Sequence, residues 1–348
     1  MAERIALDAL RRRRTRERVV ADEPPLEPMA EEVMADDCHV IPDERLRLIF
    51  ICCHPAVTPD ARAALTLRLV CGLTVTEIAR AFLVAEPTLA QRLVRAKRKI
   101  ADAGVAFELP RPELWPERME AVLSTLEVAY AKAHEDAAGS SPHAGFAAEV
   151  LHLTQLLTKL VRSSADAHAL AALVRYAEAR RPARVDNDGM MIPLSEQDPA
   201  RWRRDLIGEA DGFLGGAREL GAGSPRVLQA ALQGAWCARR SLDDPAPWSQ
   251  VLGLYDWLVA VRDDPVVRIN RAVAVAHVVG AEEAIAELDS LDAARLASFP
   301  PFLAVRAELC ASLGRTAEAR VAYEALLALG PSAAECLWLS RKLRTLPG

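Results

Sequence analysis

Pro87 divides the stretch Leu73 to Ala103, LTVTEIARAFLVAEPTLAQRLVRAKRKIADA, into two helical patterns that cannot form one continuous helix. Proline has no N–H and is tolerated in a helix only in its first turn, so one helix ends before it and another begins near Glu86. Upstream, Thr74 with Glu77 three residues later is a capping-box signature. The hydroxyl takes an orphan N–H and the carboxylate reaches back, which predicts a helix from Val75 that buries Ile78, Ala79 and Phe82. Helical rhythm breaks from Leu83 to Glu86. Beyond the break, Leu89, Leu93, Ala96 and Ile100 recur at i, i+4, i+7 and i+11, one apolar stripe of a second helix.

Thr88, Gln91, Arg92, Arg95 and Lys99 share a different face of that helix, and Lys97 and Arg98 add to its charge. From Glu86 to Ile100 five positive residues stand against one acid, in a chain whose formal net charge is -5. Local charge therefore opposes global charge. A basic second helix behind a short turn suits the major groove, because a helix fits the groove, arginine and glutamine reach base edges, and lysine neutralises phosphate. A solvated basic face on an ordinary helical hairpin is the competing reading of the same residues. Upstream of this stretch, Asp43 caps a predicted helix with Leu46, Ile49 and Phe50 on one face. Thr58 or Asp60 caps another carrying Leu65, Leu69 and Val70.

The whole run from Asp43 to Ile100, DERLRLIFICCHPAVTPDARAALTLRLVCGLTVTEIARAFLVAEPTLAQRLVRAKRKI, resembles region 4 of extracytoplasmic-function sigma factors, which reads the -35 promoter element. Together with ARRPARVDNDGMMIPLSEQDPARWRRDLI, Ala179 to Ile207, it is most similar to the subgroup whose region 4 is followed by a long helical extension ending in tetratricopeptide-like repeats. The resemblance implies recruitment of RNA polymerase to promoter DNA, not catalysis. Thr88, Gln91, Arg92 and Arg95 would meet bases or phosphates, and Lys97, Arg98 and Lys99 mostly phosphates. The two supporting helices would offer their outer surface to the β-flap of the polymerase core. The basic residues 1–18, MAERIALDALRRRRTRER, are similar to the closing helix of region 2, and almost all of region 2 is missing from this sequence. The alternative is a polymerase-independent helix-turn-helix regulator with a repeat-type protein-interaction domain.

Composition supports an all-α fold: 51% hydrophobic residues with only 5% aromatics, many alanines and leucines, and few β-branched runs. The expected organisation is the basic remnant 1–18, an acidic linker 19–42, the helix-turn-helix domain 43–104, a proline-marked linker 105–116, a helical extension 117–225 and tetratricopeptide-like repeats 226–348. Helices are predicted at about Glu117 to Ala133 and Ala144 to Leu160. No apolar run approaches the ~20 residues of a membrane span, and the arginine-rich N-terminus has no apolar signal core, so a cytoplasmic protein without membrane partners is expected.

The C-terminal third repeats. FLAVRAELCASLGRTAEARVAYEALLALGP, Phe302 to Pro331, fits the tetratricopeptide pattern at Ala307, Gly314, Ala319, Tyr323 and Pro331. Gly280 lies one repeat period before Gly314, Ala284 and Leu288 take corresponding small and large positions, and Tyr255 with Pro265 is read as the end of a more divergent copy. Such repeats stack as paired helices and offer a concave surface to a protein partner. The competing reading is that they only pack against the rest of the chain.

Candidate chemistry elsewhere does not hold together. Seven cysteines at 38, 52, 53, 71, 237, 310 and 336 show no C-x-x-C pair, and neighbours such as Cys52 and Cys53 on a helix point about 100° apart, which disfavours chelation. His134-Glu135 starts an H-E-x-x-H motif that Ala138 breaks. Asp186-Asn187-Asp188-Gly189 lacks the spacing of a calcium loop and reads as a hairpin turn. Gly221-Ala222-Gly223-Ser224-Pro225-Arg226 has arginine where a dinucleotide fingerprint needs glycine. No catalytic residue, cofactor or metal site is expected.

Overall fold

The computed structural model describes residues 44–54, 57–70, 74–81, 84–102, 115–134 and 144–347. The basic remnant, the acidic linker, Asp43, Cys38, Cys71, Pro110, Pro112, Glu135 and Ala138 lie outside the described residues, as do the side chains of Leu46, Glu77 and Phe82. Among the described residues every regular element is helical except one antiparallel bridge between Val185 and Met191. The chain is all-α, a helix-turn-helix domain followed by a helical domain.

The first four helices, α1 (Glu44–Cys52), α2 (Pro59–Leu69), α3 (Val75–Ala81) and α4 (Glu86–Asp102), gather around α2, which touches the other three. Ile49 and Phe50 of α1, Leu65 and Leu67 of α2 and Ile78 of α3 are completely buried. Burial on α2 runs all round from Ala63 to Leu67 and stops at its last two residues, Arg68 and Leu69. Leu69, which the helical period puts on one face with Leu65, is 42% exposed.

Helix α5 (Trp115–His134) begins inside the stretch read as linker, with Pro116 in its first turn, where a missing N–H costs nothing. It packs on α1 and α2 and on α6 (Ala144–Leu160) and α7 (Ala165–Arg180). Arg226, whose side chain is nearly buried, reaches back to α5: its two terminal nitrogens each donate to Glu120 at 3.1 Å, and Nη2 also reaches Glu127 at 3.3 Å. This is the arginine that breaks the dinucleotide fingerprint.

The middle of the chain is built on α7. Ser164 caps it by accepting from the Ala167 N–H, and Ala169, Ala171, Ala172, Tyr176 and Ala179 are fully buried. A helix covered by alanine lets neighbours approach closely on several sides. Those neighbours are α6, α8 (Arg204–Gly221) and α9 (Pro225–Cys237). Helix α8 is amphipathic, burying Leu206, Ile207, Ala210, Leu214 and Ala217. Between α7 and α8, the expected hairpin turn is present. Asp186 donates its N–H to the Met190 carbonyl at 2.9 Å, Gly189 has φ +80°, and Asp186 Oδ1 accepts from the N–H groups of Asp188 and Met190. That carboxylate is committed to its own turn.

The C-terminal helices α10 (Trp248–Val261), α11 (Pro265–Val278), α12 (Ala281–Asp289), α13 (Ala293–Leu296), α14 (Pro300–Ser312), α15 (Thr316–Ala328) and α16 (Ala333–Thr345) form successive pairs, α11 with α12 and α14 with α15. Gly314 (φ +71°) and Gly330 (φ +69°) stand at the ends of α14 and α15 in the left-handed conformation that ends helices, and Arg315 closes the first by donating to the Cys310 carbonyl at 2.8 Å. Ala284, Leu288, Ala307 and Ala319 are fully buried, and Tyr323 is nearly so, with its hydroxyl donated to Glu308. Small residues allow the close crossings and tyrosine fills the groove between them.

Candidate nucleic-acid interface

Local chemistry positions the second helix of the helix-turn-helix. Ile78 donates its N–H to the Thr74 carbonyl at 3.1 Å, which makes Thr74 the residue before α3 and starts that helix at Val75, as its sequence predicts. At the other end Val84 donates back to the Ala79 carbonyl, and α4 then starts at Glu86 with Pro87 in its first turn. Leu89, Leu93 and Ala96 are buried and Ile100 half-buried. That stripe docks α4 against α2 and α3.

The opposite side is open. Thr88, Gln91, Arg92, Arg95, Lys97, Arg98 and Lys99 are all exposed. At roughly 100° per residue, Thr88, Gln91, Arg92, Arg95 and Lys99 fall within one face, and Arg98 lies on its flank beside Gln91. Lys97 lies on the other side, at the edge of the buried stripe near Leu93, roughly 150° from the arginine face. The seven residues thus make one central face and two flanks.

Two neighbours on α4 carry no local signal that singles them out. Val94 is 66% exposed on the outer side, and Asp102 reaches Arg98 at 3.7 Å with both side chains open to solvent. Such an exposed pair is weak and easily exchanged for another partner. Among the described residues no carboxylate engages Arg92, Arg95, Lys97 or Lys99. An exposed row of unpaired cations on one helix is what a polyanion neutralises.

Behind this surface the domain is fixed to the extension. The Cys53 thiol donates to the Ala121 carbonyl at 3.5 Å and lies 3.4 Å from Thr125 Oγ1. Burial pushes the Cys53 thiol up to about 11, with the Thr125 contact and the Arg62 and Arg118 charges acting against it. Burial, reinforced by Cys53, pushes Cys52 up to about 12. These thiols stay protonated and uncharged, unlike the thiolates that bind metals. Among the described residues no group of three histidine, cysteine or acidic side chains is placed to hold a metal ion.

Comparison with known proteins places this geometry. Residues 47–100 match the family described as sigma-70, region 4. Residues 118–218 match a family of unknown function (DUF6596). An uncharacterized protein of Rhizobium meliloti is 34% identical over 302 residues, covering 86% of this chain and 71% of its own length. The chain belongs to the same family as this protein, and it carries a sigma-70 region 4 domain. Region 4 spans α1 through α4 and includes all seven exposed residues, and it is a DNA-binding domain without a catalytic role. The second match runs from α5 into α8, so the packing of α5 on α1 and α2 is where the two matched segments meet. No solved structure matches the chain. Among the described residues no helix is long and apolar enough to cross a membrane.

Proposed function

We propose that the protein is an RNA polymerase sigma factor of the extracytoplasmic-function type, acting in the cytoplasm, whose region 4 binds the -35 promoter element and the polymerase core. The observation that carries this reading is the exposed, unpaired basic face of α4 within a segment that matches region 4. Arg92 and Arg95, with Gln91 and Thr88, supply the donors suited to base edges or phosphates at the centre. Lys97, Arg98 and Lys99 take phosphates on the flanks and at the helix end. Domain limits of 43–104 for region 4, 117–225 for the extension and 226–348 for the repeats belong to the same proposal. The stacked pairs α11 with α12 and α14 with α15, with buried small residues at the repeat positions, support tetratricopeptide-like units whose role is to receive a protein partner and so regulate initiation.

A second reading is favoured by one contact. Helices α1 and α2, whose outer surface the sigma-factor resemblance assigns to the polymerase flap, already pack against α5. A helix-turn-helix regulator that never meets polymerase needs no change in that contact. Pull-down of core RNA polymerase by the purified chain separates the two. Retention on core, with transcription from a promoter whose -35 element the protein selects, supports the sigma factor. Selective DNA binding without core binding leaves the polymerase-independent regulator.

A further inference from the structure

Val94 on α4 is 66% exposed, and every other exposed residue from Gln91 to Lys99 carries a hydrogen-bond donor. One apolar side chain in water is ordinary on a protein surface. Its place on this helix is not. Buried Leu89, Leu93 and Ala96, with half-buried Ile100, fix the inner direction of α4. At about 100° per residue, the direction straight opposite them falls between Gln91 and Arg98, with Arg95 about 50° to one side and Val94 about 50° to the other. Val94 and Arg95 thus flank the outermost line of the helix symmetrically.

Helix stability gives no reason for valine here. Its branched β-carbon is restricted in a helix, and alanine would form the same exposed turn better. The chemistry of the major groove does give a reason. A helix seated there with its buried stripe turned away brings its outermost line to the base edges. Arginine and lysine donate to the acceptors of guanine and adenine, and glutamine pairs with adenine. Thymine alone among the four bases presents a methyl group, which an apolar side chain reads and a donor does not.

We propose that Val94 is a specificity-determining residue that selects a thymine by packing against its 5-methyl group. Contact removes the methyl groups of both partners from water. Cytosine in the same place offers a bare C5 and sets its N4 donor beside an apolar group, so it is disfavoured. The proposal rests on the reading of α4 as the helix that enters DNA. It adds a base preference carried by a residue with neither charge nor donor.

The experiment is competition binding of the purified full chain to a duplex selected from a random pool, with each thymine replaced in turn by deoxyuridine. That replacement removes the methyl group and keeps every hydrogen-bonding atom of the base. At one position it is expected to weaken binding about fourfold, the worth of burying one methyl-sized group. Val94→Ala withdraws the contact. It is expected to bind the thymine and deoxyuridine duplexes equally to within about twofold, with the slope of log affinity against log salt unchanged because no charge is lost. Circular dichroism checks that the variant folds. Selective binding in which no thymine methyl matters overturns the proposal and leaves the DNA-binding reading standing. A methyl effect that persists in folded Val94→Ala does the same. If the natural chain selects no duplex at all, both fall together, and that failure shows before any base is altered.

Discussion

The rings of Phe50 on α1 and Trp115 at the start of α5 lie 5.9 Å apart, tilted by 40°, and both are buried. This contact joins region 4 to the extension, beside the Cys53 thiol that points to Ala121 and Thr125. Replacing a buried tryptophan by alanine removes its apolar burial and leaves a cavity, so Trp115→Ala should cost about 3–5 kcal/mol. Urea unfolding measures it. A loss below about 0.5 kcal/mol, within the range of surface substitutions, would show that the junction does not hold the two parts together.

Gly234 on α9 faces Tyr176 on α7 so closely that an added Cβ would lie 2.9 Å from the tyrosine hydroxyl and 3.1 Å from Leu214 Cδ2. Alanine favours a helix over glycine by about 1 kcal/mol, but overpacking costs about 1–3 kcal/mol. Gly234→Ala is therefore expected to destabilise. Tyr176→Phe removes the nearer obstacle, and with it the 2.6 Å bond to Asp211, an exposed carboxylate that water can satisfy. The double variant should recover part of the stability lost by Gly234→Ala. Equal losses in the presence and absence of the hydroxyl would exclude this clash as the cause.

What the sequence reveals here depends on how local the determining force is. The starts of α3 and α4 are legible because an N-cap and a proline act on their own helix, and the buried stripe of α4 follows from the helical period alone. Trp115 is not legible as a core residue. It sits in a proline-rich run that reads as linker, and what buries it is Phe50, far away in sequence. Leu69 shares a periodic face with Leu65, yet Leu65 is buried and Leu69 exposed, a difference that the period alone does not show. The separation of Lys97 from the arginine face needs only helix geometry. That Gln197 Oε1 is buried without a hydrogen-bond partner follows from three-dimensional packing and has no counterpart in the sequence pattern.

The raised Cys53 pKa has a pH consequence with a definite sign. A thiol lifted by burial from its ordinary 9.0 to about 11 stays neutral in the folded protein while the unfolded chain ionises. Its contribution to stability is fully present below about pH 9 and is lost as pH rises toward about 11. Urea unfolding of the natural chain and of Cys53→Ala at pH 8 and pH 10 isolates this effect from other titrations. The stability advantage of the natural chain should shrink by on the order of 1 kcal/mol across that interval. An unchanged difference would mean that solvent reaches the thiol.

For the DNA face, the decisive quantity is the salt dependence of binding. Arg92 and Arg95 are exposed, so their removal should change stability by no more than about 0.5 kcal/mol. Affinity for a duplex selected from a random pool should nevertheless fall at least tenfold in Arg92→Ala/Arg95→Ala. Removing an arginine that neutralises a phosphate lowers the slope of log affinity against log salt by about 0.9, whereas removing one that reads a base leaves the slope and relaxes sequence preference. Lys97→Ala, on the far flank, should reduce the slope without altering preference. Competition binding from about 0.05 to 0.2 M salt distinguishes these outcomes. Undiminished binding by the double variant would remove both arginines from the interface and return the basic face of α4 to an ordinary solvated surface.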